Sequence, residues 1–67
     1  MHPALHVPTT RATSLAREKG KPYMVCEIDH EDTRKLAVYP LAYADDPEFE
    51  AFDGLISVIA YPDGSID

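Results

Sequence analysis

Tyr23-Met24-Val25-Cys26-Glu27-Ile28-Asp29, then His30-Glu31-Asp32-Thr33, then Arg34-Lys35-Leu36-Ala37-Val38-Tyr39, is the stretch that decides the fold. The first segment alternates, with Met24, Cys26 and Ile28 on one face and Tyr23, Val25, Glu27 and Asp29 on the other. A period of two with β-branched and aromatic residues specifies a strand. The polar tetrad after it reads as a turn, so the stretch predicts a β-hairpin. Pro40 then interrupts the second strand, because proline has no N–H to give a ladder. That strand is therefore an edge, bulged, or ends there.

Downstream, Leu41-Ala42-Tyr43 leads into Asp46-Pro47-Glu48, the clearest local signal in the chain. Asp at the N-cap, Pro at the first helical position and an early Glu specify a helix start. Phe49 and Phe52 fall three apart, on one side of the helix, and Asp53-Gly54 ends it. Both aromatics are expected on the sheet, with Asp45, Asp46, Glu48 and Glu50 in water. Leu55-Ile56-Ser57-Val58-Ile59-Ala60-Tyr61 is the best third strand, nearly apolar on both sides. That pattern predicts a central position, or burial of one face by another subunit. Pro62-Asp63-Gly64 forms a turn, after which the last residues fray or add a short edge contact.

Upstream of the hairpin, residues 1–8 contain two prolines and no periodicity, and read as an extended arm. Thr9 or Thr10 is the expected N-cap of a helix carrying Ala12, Leu15 and Ala16 at helical spacing. Gly20 supplies its left-handed end, with Pro22 just beyond. Arg11, Arg17, Lys19 and Lys21 stand against Glu18 alone. The expected architecture is α+β over residues 9–67: an N-terminal helix on a three-stranded antiparallel β-meander, with a short acidic helix between strands 2 and 3.

Sixty-seven residues make one small domain of marginal stability. Cys26 is the single cysteine, so no internal disulfide helps. A four-ligand zinc site would need Cys26, His2, His6 and His30, whose spacings are far apart and dissimilar; no metal is expected. Self-association is the remaining aid. Hydrophobic residues at 45% mark a folded chain, and its longest mostly apolar run, seven residues, is too short to span a membrane. A lone cysteine and no signal-peptide pattern predict the cytoplasm.

Charge is the strongest functional lead. The formal net charge is −6, and no lysine or arginine follows Lys35. The acids beyond it are Asp45, Asp46, Glu48, Glu50, Asp53, Asp63 and Asp67, five of them between positions 45 and 53. Such a surface repels nucleic acid and membranes and attracts basic partners. Nucleotide-loop, zinc-protease and calcium-loop motifs are absent, and no serine sits in a nucleophile elbow. Cys26 reads as a small buried hydrophobe, and Asp29, His30, Glu31 and Asp32 as a solvated hairpin tip; neither supports an enzyme.

Two functional readings follow. The first is a non-enzymatic interaction module, inhibitory or mimicking nucleic acid, that binds a basic protein surface through Asp45, Asp46, Glu48, Glu50 and Asp53. The second is a structural domain that forms a homodimer through strand 55–61. Neither invokes a cofactor, nucleic acid or a membrane. Size and acidity match the style of many small bacterial or phage proteins, without a shared motif.

Overall fold

A computed structural model describes residues 5–67. The chain is α+β: helix α1 (His6–Lys19), strands β1 (Tyr23–His30) and β2 (Thr33–Pro40), a 3₁₀ turn (Leu41–Asp45), helix α2 (Pro47–Ala51) and strand β3 (Leu55–Ala60). The hairpin forms as expected, with Tyr23 facing Pro40 and His30 facing Thr33 in unbroken antiparallel register. Its loop is two residues, Glu31 and Asp32, with φ of 48° and 66°. Positive φ at both positions is the type I′ geometry that matches strand twist. Here it is carried by two residues with side chains instead of the usual Asn-Gly.

All three strands are antiparallel, but the order is β2-β1-β3. A meander would have put the third strand beside the second; instead β1 is central and strand 55–61 lies at an edge. The cause is the chain between them. The 3₁₀ turn and α2 cross one face of the sheet, seating Phe49 on Met24, Cys26 and Ile28, and deliver β3 to the far side of β1. Strand β1 is accordingly where burial concentrates: Met24, Val25 and Cys26 are the largest fully buried side chains.

Helix α1 covers the opposite face. Ala12 and Ala16 are fully buried, and their small side chains let the helix sit close on Tyr23, Val25, Val58 and Ala60. The helix ends as expected at Gly20, at φ 69°, whose N–H reaches the Ala16 carbonyl at 2.9 Å. Its start differs. The helix begins at His6 after Leu5, so neither Thr9 nor Thr10 is the N-cap, and the expected arm shrinks. Pro8 does not prevent this, because it occupies the third helical position, where its missing N–H has no intrahelical partner to lose. Thr9 is instead buried. Residues 1–4, including His2, lie outside the described residues.

Strand β3 carries a bulge. Val25 faces Val58, but Cys26 faces Ile56, which leaves Ser57 as one extra residue. After β3 the tail turns back: Ile59 and Asp67 exchange two backbone hydrogen bonds of 3.0 and 2.8 Å. This is the short edge contact. Within the turn, Asp63 Oδ1 accepts from the Ser65 N–H at 2.8 Å and from its hydroxyl at 2.6 Å. Those donors hold the Asp63 carboxyl below its ordinary range.

Candidate interaction surfaces

The five acids singled out by sequence all reside on the α2 side of the sheet or at its exit, and all are exposed. The local scaffold explains their placement. Phe49 is buried on the sheet while Glu48 and Glu50 flank it, so docking of the aromatic turns both carboxylates outward. Tyr43 steadies Phe49, meeting it edge-on with ring centroids 5.8 Å apart, and Tyr39 lies 4.6 Å from Tyr43. Partial burial, reinforced by the charge of Glu48, pushes the Tyr43 phenol up, so it stays neutral beneath the acids.

The five carboxylates are not equivalent. Asp46 caps α2, accepting from the Glu48 N–H at 2.8 Å. Asp53, at φ 54°, takes the left-handed position that ends the helix segment, and its carbonyl accepts from Arg34 at 2.9 Å. The Asp53 carboxylate is 3.7 Å from the same guanidinium and largely solvated, so that pair is weak. Asp45, Glu48 and Glu50 carry no ion pair among the described residues. Arg34 itself gathers Asp29 at 3.0 Å and Glu27 at 3.4 Å, tying the hairpin to the segment entering β3.

Charge is segregated between the two helical layers, while the sheet itself carries Glu27 and Asp29 on the α1 face and Lys35, opposite Ile28, on the α2 face. Arg11, Arg17 and Lys19 project from α1, with Lys21 just after it, against Glu18 alone. The 3₁₀ turn and α2, on the other face, contain Asp45, Glu48 and Glu50 with Asp46 between them and no cation. Sequence reasoning identified both groups. That they occupy opposite layers follows from which strand faces each helix covers.

Two further features were not legible in advance. Leu55 and Ile56 are 58% and 44% exposed. The bulge at Ser57 shifts the register, so the apolar pattern of β3 does not continue into the core. A shallow groove of about 350 Å³ also runs between α1 and the tail, lined by His6, Thr9, Thr10, Thr13, Ser14, Arg17 and Ile66. The hydroxyls of Thr10 and Thr13 are spent one helical turn back, on the carbonyls of His6 and Thr9.

The residues weighed for chemistry lie apart. Cys26 is fully buried between β2 and β3; its thiol donates to the Ala37 carbonyl at 3.6 Å, and burial pushes its pKa up. His30 is exposed at the far end of the hairpin, and His6 starts α1. Among the described residues, no three His, Cys, Asp or Glu side chains come together as a metal site. No described helix is long and apolar enough to cross a membrane. No family model, curated protein or solved structure matches the chain.

Proposed function

We propose that the chain is a non-enzymatic protein–protein interaction module whose acidic layer binds a basic surface on a larger protein. The observation that supports it is the segregation itself. Asp45, Asp46, Glu48, Glu50 and Asp53 are exposed together around one short helix, anchored by a buried Phe49. Carboxylates three or four residues apart on a helix lie roughly 5–6 Å from one another. That spacing suits alternate lysines or arginines on a groove that otherwise receives backbone phosphates. An inhibitory or nucleic-acid-mimicking role is the form this binding takes, in a soluble cytoplasmic setting.

Capture from a lysate at low and high salt, with the wild type beside an Asp45→Asn/Glu48→Gln/Glu50→Gln variant, tests the reading. Asp46 is left in place because it caps α2. The expected result is a partner retained at low salt, released at high salt and lost with the variant. Equal retention by the variant would overturn it.

A second reading, a structural domain that self-associates through strand 55–61, is favoured by the exposure of Leu55 and Ile56. Ile56→Lys is the informative substitution. Val58 is buried under α1, so a charge there would unfold the chain instead of reporting on an interface.

A further inference from the structure

The two edges of the sheet are finished differently. The β3 edge is blunted, by the bulge at Ser57 and by the tail bonded to Ile59 and Tyr61. Both devices hinder addition of another strand. Among the described residues no segment covers the outer side of β2. The direction of its free groups follows from Asp29, whose N–H donates to the Phe52 carbonyl on the β3 side at 2.9 Å. The facing pair Asp29 and Arg34 is therefore a non-hydrogen-bonded one. By alternation, the N–H and C=O groups of Arg34, Leu36 and Val38 point outward, and those of Lys35, Ala37 and Tyr39 point to β1. Beside this open row a groove of about 290 Å³ separates α1 from β2, with Val7, Pro8, Arg11, Leu36 and Val38 along it. Val7 and Leu36 are 74% and 38% exposed.

We propose that a second copy of this chain occupies the edge, its β2 pairing antiparallel with this β2 about a two-fold axis at Leu36. The six strands then form one continuous sheet. In this register Leu36 meets the partner's Leu36, Arg34 meets the partner's Val38, and Lys35 meets the partner's Ala37. All three outward positions form complete hydrogen-bonded pairs, and each cation faces an apolar residue. The neighbouring registers are worse. An axis at Arg34 or Lys35 sets like charges directly opposite each other, which destabilises a strand pair. An axis at Ala37 or Val38 brings Pro40, which has no N–H, into the ladder. Leu36 and Val38 of both copies also meet on the α1 side, beside the grooves that Arg11 shares with Val7 and Pro8.

The joint rests on three outward-facing positions per strand, so the proposed dimer is a weak, reversible one. It also suits a domain whose own core is near the lower limit for independent stability.

Sedimentation equilibrium from about 10 µM to about 1 mM, the range in which weak interfaces dissociate, tests the proposal on wild type, Leu36→Lys and Ile56→Lys. The expected result is a monomer–dimer equilibrium, weakened at least about tenfold by Leu36→Lys, equivalent to roughly 1.4 kcal/mol, and unchanged by Ile56→Lys. Amide hydrogen exchange on the wild type needs no variant to fold. The amides of Leu36 and Val38 should slow as concentration rises, while those of Lys35 and Ala37 stay constant. A monomer throughout, a dimer indifferent to Leu36→Lys, a dimer abolished by Ile56→Lys, or exchange at Leu36 and Val38 independent of concentration would each overturn it.

Discussion

Gly54→Ala isolates the contact that holds the acidic layer to the sheet. Gly54 does not use the left-handed region, so alanine can adopt its backbone, and the smaller unfolded-state entropy alone would stabilise by about 0.4–1 kcal/mol. Sterics oppose this. A Cβ built at position 54 lies 2.5 Å from Cζ and 2.6 Å from Cδ2 of Phe49, against the roughly 3.5–4.0 Å of a comfortable carbon contact. The ring would have to retreat by about 1 Å, yet Tyr43 stands against it and Met24, Cys26 and Ile28 lie beneath. Overpacking of this kind costs about 1–3 kcal/mol. The steric cost exceeds the entropic gain, and a net loss of about 1–2 kcal/mol is expected. In a domain of this size that lowers Tm by about 4–8 °C per kcal/mol. Urea and thermal unfolding followed by circular dichroism measure it. A double-mutant cycle with Phe49→Leu assigns the cause. If the ring is the obstacle, Gly54→Ala costs less in the Phe49→Leu background, with a coupling of at least about 0.5 kcal/mol. A neutral or stabilising Gly54→Ala, or an equal cost in both backgrounds, would refute the reasoning.

Replacing Glu31→Asn and Asp32→Gly together should stabilise by about 1 kcal/mol in the same unfolding assay, because left-handed backbone disfavours other side chains. Asp46→Ala should cost about 1 kcal/mol by loss of the α2 cap, also read from urea unfolding. Cys26 should resist thiol reagents in the native protein and react once it is unfolded. Its folded-state pKa is raised, so its stabilising contribution is full below about pH 8.5 and is lost as pH climbs through the folded value; stability measured at pH 7 and pH 10 checks the sign. Asp63 behaves oppositely. Its folded-state pKa is depressed, so the contribution of its turn is present above about pH 4 and lost as pH falls through the folded value. Carboxyl NMR titration, with the Ser65 amide as reporter, follows this loss.

Local signals were read from sequence where one or two residues dictate the geometry. Asp46-Pro47-Glu48 started a helix, Gly20 ended one, and the alternation of Met24, Cys26 and Ile28 assigned a strand face. Strand order was not legible in the same way, because it depends on the route of the chain between β2 and β3. The informative signal was Met24-Val25-Cys26, apolar on both faces and hence suited to the middle of the sheet. Leu55-Ile56 carried the same signal, but the unforeseen bulge at Ser57 left those residues exposed. The start of α1 at His6 is not legible because residues 1–8 hold two prolines and no periodicity, although Pro8 is compatible with the first helical turn. For the acidic surface, composition named the residues, while Phe49, buried on β1, explains why they project together.

The most direct test of the acidic-layer reading is an NMR titration of the ¹⁵N-labelled protein with an arginine-rich peptide at low and high salt. Saturable shifts concentrated at Asp45–Asp53, with affinity falling steeply as salt rises, are the predicted result. Shifts spread evenly over Glu18, Glu31, Asp63 and Asp67, or no saturable binding at low salt, would contradict it.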